Sequence, residues 1–414
     1  MMVADDLKGL PLAGIKVVEF SHMVMGPLTG AVLADLGADV VKVEPIGGDN
    51  TRRLLGSGSG YFPMFNRNKR SICIDLKSVA GRDAAIRLVR GADVVIENYR
   101  PGALDKLGLG AEALRKVNPD LIYCSTKGFL TGPYEHRSAL DEVAQMMGGL
   151  AYMTGPPGRP LRAGASVIDI AGGMFGAIGI LATLLARTRG DGGASVRASL
   201  FETTAFMVGQ HMAQMAVTGQ AAAPMPNRIS AWAIYDVFET LNPDELLFVG
   251  VVSDGQWKSF TAAFDLGEVG RDPRFATNNE RVLARETIVP VVRAIMAQHS
   301  RAELLDRLER AGVAFAPIAR PQDLFDDPHL NASGGLVDLT LNDGRAIRLP
   351  ALPLEIDGRI PGVRRDLPHP GEDGEDVLRD FGFGATEIAA LHESGAIGTL
   401  AKSVRDLAGQ EQTA

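Results

Sequence analysis

The sequence predicts an α/β protein, a parallel-sheet domain followed by a smaller α+β domain. Three observations point there. A strand–helix–strand spacing opens the chain, with Ile15–Phe20 (IKVVEF), a helix over Leu28–Leu36 and a second strand at Asp39–Val43 (DVVKV). Apolar strand-like runs then alternate with helical segments as far as Val217. The composition shifts at Thr218–Asn227 (TGQAAAPMPN), which reads as a linker. The 414 residues are 46% hydrophobic and 22% charged, an ordinary globular balance in a chain long enough to bury a core without staples.

The elements follow in order. Met25-Gly-Pro-Leu precedes the first helix, and Pro27 suits a first helical turn. The first turn holds Gly26 and Gly30 but no GxGxxG, so a nicotinamide or flavin site has little support. Glu44–Arg53 and Gly56–Gly60 (GSGSG) read as loop, either plain or a phosphate cradle. Phe65-Asn66-Arg67-Asn68-Lys69-Arg70 is the densest basic patch in an acidic chain, and it precedes a strand over Ser71–Asp75. It reads either as a solvated strand edge or as an anion site for a phosphorylated ligand.

Ala80–Gly91 is a helix, Val94–Glu97 a strand, Ala111–Val117 a helix and Leu121–Ser125 a strand. Ligands of doubly wound sheets bind outside the carboxyl ends of the strands. Lys77, Asn98 with Tyr99, and Lys127 stand at three such ends. Ser138–Gly149 carries Asp141 and Glu142, which as helix neighbours point about 100° apart. Ala194–Leu200 is a strand and Phe201–Val217 a helix. Past the linker come strands at Trp232–Thr240 and Leu246–Val252, then helices at Gly255–Phe264, Ile288–Gln298 and Ala302–Ala311. Leu336–Leu341 and Ala346–Leu352 flank Asn342-Asp343-Gly344 as a hairpin. The domains expected are 1–225, 226–328 and a C-terminal segment 329–414.

The net charge of −8 argues against non-specific nucleic-acid binding. Cys73 and Cys124 lie in strand-like runs and read as buried free thiols. Asp5, Asp6 and Lys8 precede any long apolar run, so no signal peptide is expected. The uncharged run Ile170–Ala186 is short for a membrane span and rich in glycine, and reads as a buried helix. A cytoplasmic protein without a membrane partner is the expectation. The 7 histidines and 2 cysteines do not approach metal-ligand spacing, and no GxSxG, P-loop or cysteine-nucleophile motif appears. Carboxylate chemistry remains. Asp169 stands at the mouth of the long uncharged helix, where an N-cap position and the helix dipole would keep it ionised. An ordinary capping Asp has the same appearance.

The chain resembles the class III CoA-transferases, the CaiB/BaiF or formyl-CoA transferase family. The resemblance rests on Leu12–Phe20, Gly26-Pro27, Leu36–Pro45, Gly48-Asp49, Phe65–Ile72, Glu97–Gly102, Asn118-Pro119, Val143-Ala144-Gln145, Asp169–Gly173 and Asp327-Pro328. It implies a Rossmann-like large domain, a small domain, and a C-terminal segment that returns to the large one. It implies a homodimer of chains threaded through each other like linked rings. It makes Asp169 the nucleophile that forms an aspartyl–acyl anhydride and then an aspartyl-CoA thioester. CoA is a substrate, and no tightly bound cofactor is expected.

The family's CoA contacts carry onto His22, Met23, Ile74, Lys77, Asn98 and Tyr99, with Lys106 where relatives use Arg. Asn68, Lys69, Arg70 and Lys127 are further candidates from the basic stretch. Glu142 matches an active-site Glu of the formyl-CoA transferases, and Gly172 and Gly173 leave room for close approach.

Three departures weaken oxalate as acceptor: Pro224–Tyr235 has no glycine, Val24 replaces a Gln, and Pro45 replaces a basic residue. Asp373 stands where many members have His. A succinyl-CoA-type donor and malate, citramalate, itaconate or mesaconate as acceptor are the expected partners. The fold also hosts 2-methylacyl-CoA racemases, which need a base on each face of the carbon. Their His falls on Leu140, which disfavours that reading. A catalytically dead CoA-binding scaffold is disfavoured because Asp169 and the CoA-side residues are present.

Overall fold

The computed structural model describes residues 9–228 and 230–398. The stretch with Asp5, Asp6 and Lys8 lies outside them. The strands are β1 Lys16–Phe20, β2 Asp39–Glu44, β3 Arg70–Ile74, β4 Val94–Glu97, β5 Ile122–Lys127, β6 Ser195–Ser199, β7 Tyr235–Glu239, β8 Leu246–Gly250, β9 Ala314–Pro317, β10 Leu336–Thr340, β11 Ala346–Pro350 and β12 Ile397–Gly398. Seven of them form one sheet in the order β12-β3-β2-β1-β4-β5-β6. β1 to β6 run parallel and β12 adds antiparallel to β3. The fold is therefore mixed α/β around a mainly parallel sheet.

Alternate residues of these short apolar strands feed two cores. Val18, Val41, Val43, Ile72 and Val95 face one. Val17, Val40, Val94, Ile96, Ile122 and Cys124 face the other. Burial of both faces explains why the runs read as continuous apolar stretches. The chain winds outward from β1 through β2 to β3, then crosses to the other side of β1 at β4. That reversal opens a crevice at the carboxyl ends of β1 and β4. Both cysteines are free and buried, as their strand positions predict.

The loop expected after β2 is instead two short 3-10 turns, Asn50–Arg53 and Gly56–Gly60. The helix expected over Ser138–Gly149 is confined to Asp141–Met147, and a second short helix, Leu150–Thr154, follows Gly149, whose φ of 83° suits glycine.

The long helix Val167–Arg187 differs from expectation in its surroundings. It is long and apolar enough to span a membrane by length and composition. It is not buried all round, for Met174, Phe175, Ile178 and Leu185 are exposed. Its other side packs on the helix Met25–Asp35 through glycines. A Cβ at Gly173 would lie 2.7 Å from the Met25 carbonyl oxygen, and one at Gly176 2.8 Å from Thr29 Oγ1. Thr29 Oγ1 donates to the Gly173 carbonyl at 3.0 Å. Gly172 and Gly173 therefore admit a neighbouring helix, which corrects the expectation that they make room for substrate.

The chain divides into two compact units. One closes at Ala222 and resumes at Pro328, and the other is Ala223–Asp327. The second unit has a three-stranded antiparallel sheet, β7-β8-β9. Its helices include Asp254–Phe264, Arg285–Met296 and Arg301–Arg310, over a core of Phe238, Trp257, Phe260, Val292 and Leu308. In the first unit β10 and β11 form the expected hairpin. Asp373 then fastens the C-terminal segment to β3: its Oδ2 accepts from Ser71 N at 2.9 Å and its Oδ1 pairs with Arg365 at 2.7 Å.

Candidate active site

Asp169 lies in the first turn of the helix Val167–Arg187, with Ser166 at the N-cap position. It is the third helical residue and not the cap, which corrects the sequence reading. The cap is supplied from elsewhere. Asp141, the first residue of its own short helix, is buried, and its Oδ2 accepts from Ile168 N at 2.8 Å and Asp169 N at 3.1 Å. These are N–H groups that the first turn cannot satisfy internally. The sequence reading treated Asp141 as a helix neighbour of Glu142 and missed this role. A carboxylate facing two helix-opening N–H groups across a 28-residue separation leaves no local signal.

Gln145 ties the assembly together. It is fully buried, its Nε2 donates to Asp141 Oδ1, and its Oε1 accepts from Ala163 N at 2.8 Å. One helical turn separates Asp141 from Gln145, which puts both on one face. Arg162 follows on the anchored loop. Its Nη1 donates to Glu142 Oε1, and its Nη2 stands 3.8 Å from Asp141 Oδ1. Glu142 is thus placed beside this group but is exposed and paired. Tyr61, also missed from sequence, reaches the same helix start, with its hydroxyl 3.5 Å from Ser166 Oγ.

This environment works against the expectation that the cap position and helix dipole keep Asp169 ionised. Burial pushes its carboxyl up to about 7, the Asp141 charge adds to the rise, and Arg162 opposes it. The helix terminus cannot restore the ordinary value, because Asp141 already takes its N–H groups.

The crevice at the sheet's reversal lies at the same end of the molecule. Met25, whose side chain bounds Gly172, opens the helix that follows β1. His22 and Met23 lie between β1 and that helix. Across the crevice, Asn98 follows β4. Asn98 Oδ1 accepts from His22 N at 3.0 Å and Asn98 Nδ2 donates to the His22 carbonyl at 2.7 Å. The Tyr99 ring lies 5.3 Å from that of His22. Met23 adopts a left-handed backbone, φ 63°, with its N–H on Thr51 Oγ1 at 3.0 Å. Burial holds His22 below its ordinary pKa, against the pull of Asp49. The structure therefore brings His22, Met23, Asn98 and Tyr99 together. Lys77 and Lys106 are exposed near the ends of β3 and β4.

The rest of the basic stretch is a correction. Lys69 is fully buried and donates to Glu19, Asn66 and the Pro27 carbonyl. Burial lowers its pKa to about 8, with Glu19 opposing. Gly30 is required above this pair, since a Cβ there would meet Glu19 Oε2 at 1.8 Å. Arg70 pairs with Asp39 at 2.5 Å and Asp380 at 2.7 Å. Asn68, in the left-handed region that Asn tolerates, donates to Asp35 and accepts from the N–H groups of Arg364 and Arg365. These side chains hold the first unit together and present no free charge to an anion. Ile74 has its side chain in the core, 1% exposed. Lys127 is held by Glu97 at 2.6 Å and by the Tyr99 carbonyl at 2.6 Å.

Comparison with known proteins adds to this geometry. Residues 12–374 match CoA-transferase family III. A succinate–glutarate CoA-transferase of Agrobacterium fabrum is 35% identical over 90% of this chain and 96% of its own length. An acetyl-CoA:oxalate CoA-transferase of Acetobacter aceti is 34% identical over 90% of this chain and 96% of its own. A CaiB/BaiF family protein from Brucella suis superposes with a TM-score of 0.79 at 34% identity, over 90% of this chain and 99% of that one.

Proposed function

The chain belongs to CoA-transferase family III, and from that premise we propose that Asp169 carries CoA from an acyl-CoA donor to a small dicarboxylic acid. The enzyme is a transferase and its substrates are CoA thioesters and carboxylic acids. The observation that carries the assignment to Asp169 is its position: a part-buried carboxyl tuned to about 7, at the strand-end side of the sheet, with its backbone clamped by Asp141. A nucleophile near neutral pKa combines an available ionised form with high basicity.

In this reading the Asp169 carboxylate oxygen attacks the thioester carbonyl, the C–S bond breaks, and CoA thiolate leaves a mixed anhydride. The thiolate then attacks the Asp169 carbonyl and expels the donor acid, giving an aspartyl-CoA thioester. The acceptor carboxylate attacks that carbonyl and frees the thiolate. Thiolate attack on the acceptor carbonyl yields the new acyl-CoA and regenerates Asp169. His22, Met23, Asn98 and Tyr99 line the path of CoA, and the exposed Lys77 and Lys106 meet its phosphates.

Succinyl-CoA is the proposed donor. Glutarate, which the Agrobacterium relative's name carries, joins malate, citramalate, itaconate and mesaconate as the acceptors to test first. Oxalate belongs in the same panel, since the Acetobacter relative's name carries it. The exposed apolar residues Phe175, Ile178, Phe206, Met212 and Val217 support a homodimer that covers them. Leu140 is exposed and carries no titratable group, so it offers no second base for racemisation.

The test is to incubate the protein with succinyl-CoA and a panel of free acids and to follow acyl-CoA exchange by mass spectrometry. Exchange with a dicarboxylate, its loss in Asp169→Ala, and a CoA-sized mass adduct on the wild-type chain are expected. Absence of exchange with every acid overturns the transferase assignment, and activity in Asp169→Ala removes Asp169 from the mechanism.

A further inference from the structure

A dicarboxylic acid brings two charges to a site whose nucleophile is itself acidic, so the carboxylate that does not react needs a cation nearby. The other groups around Asp169 are acidic or neutral: Asp141, Gln145, Ser166 and Tyr61. Arg162 is the exception. Its loop is pinned at Ala163 N by buried Gln145, so the guanidinium projects from a fixed base. Its Nη2 stands 3.8 Å from Asp141 Oδ1, and the other oxygen of Asp141 holds the Asp169 N–H at 3.1 Å. The Asp141 carboxylate therefore stands between the guanidinium, 3.8 Å away on one side, and the backbone of the nucleophile, 3.1 Å away on the other.

The remaining face of Arg162 is occupied by Glu142, through a hydrogen bond from Nη1. Glu142 has no other partner among the described residues, and its side chain is 54% exposed. An exposed ion pair of this kind is weak and exchanges readily with a competing carboxylate. The geometry is that of a carboxylate receptor filled by a neighbouring side chain.

We propose that Arg162 reads the second carboxylate of the acyl donor and acceptor, and that Glu142 occupies it only while the site is empty. This rests on Asp169 as the nucleophile and on a dicarboxylic substrate, and adds the residue that selects an acid with a second carboxylate over the same acid without it. The guanidinium fork makes two parallel N–H···O bonds to a carboxylate, which fixes the orientation of the acid as well as its charge.

The experiment uses succinyl-CoA as donor and compares glutarate with butyrate as acceptors. The wild type prefers glutarate. In Arg162→Gln the glutarate-to-butyrate ratio of kcat/KM falls by about 10- to 100-fold, the loss of a charge-assisted pair. Arg162→Lys restores part of that ratio. Glu142→Gln lowers KM for glutarate, because the competing carboxylate is gone. A wild-type preference for butyrate, or a ratio that Arg162→Gln leaves in place, overturns the proposal. Calorimetric binding of glutarate to the CoA-loaded wild type and Arg162→Gln separates the two readings. If transfer is absent but the variant loses glutarate binding, the transferase mechanism falls and the role of Arg162 stands. If transfer proceeds and binding is equal in both, Arg162 falls alone.

Discussion

Asp169→Asn should stabilise the protein at alkaline pH, and the effect should vanish in acid. The Asp169 carboxyl sits at about 7 in the folded chain against an ordinary 3.8. A raised carboxyl holds its proton more tightly folded than unfolded. Stability is therefore highest while the group is protonated, below about 4, and falls as pH rises to about 7, where the loss levels off. The difference of about 3 units, at about 1.4 kcal/mol each, sets a ceiling of about 4 kcal/mol. The carboxylate is partly exposed, and solvent screening reduces the ceiling to about 2 kcal/mol. Asn keeps the shape and carries no charge, so it escapes this cost. Scanning calorimetry of both proteins from about pH 4 to pH 9 reads the effect as a Tm difference. It should grow through the window from 4 to 7 and reach about 2–4 °C, scaled from chains of smaller size. A variant no more stable than wild type at about pH 8, or a difference independent of pH, refutes the reasoning. The same ionisation sets the acid limb of activity, which should rise through about pH 7.

Asp141→Asn removes the charge that helps raise Asp169, so the acid limb of kcat/KM should move to lower pH; confronting Gln145 Nε2 with an amide should cost about 1–2 kcal/mol in denaturant unfolding. Asp35→Ala leaves the buried Arg67 guanidinium, now 2.6 Å from Asp35 Oδ2, without its partner, and should cost about 3–5 kcal/mol by the same measurement. Gly173→Leu forces a Cβ against the Met25 carbonyl and should lose about 1–3 kcal/mol or more, together with activity, because it pushes the Asp169 turn away from the first helix. Lys106→Ala should raise KM for acyl-CoA several-fold with salt-sensitive binding, while its exposed position keeps stability within about 0.5 kcal/mol.

The sequence by itself determined the parallel sheet, because strands buried on both faces must be continuously apolar and the crossover helices must fill the gaps between them. It also drew attention to Asp169, a lone carboxylate at the start of a long uncharged run, but on that stretch alone an ordinary capping Asp looks the same, and the family resemblance is what singled it out. Strand ends such as Asn98 and Tyr99 were legible because their position follows from element order alone. What the tertiary structure decided is which charges are free. Lys69, Arg70 and Asn68 read as either a solvated strand edge or an anion site until Glu19, Asp39, Asp380 and Asp35 arrive from 31 to 310 residues away and neutralise or fasten them. The glycines of the long helix looked like space for a ligand, but it is the helix Met25–Asp35 that fills it. The state of Asp169 was likewise set from outside its own segment. Asp141 takes the N–H groups of the helix terminus and adds its charge, and burial does the rest. A pKa is a property of a neighbourhood, and that neighbourhood is assembled only when distant segments pack.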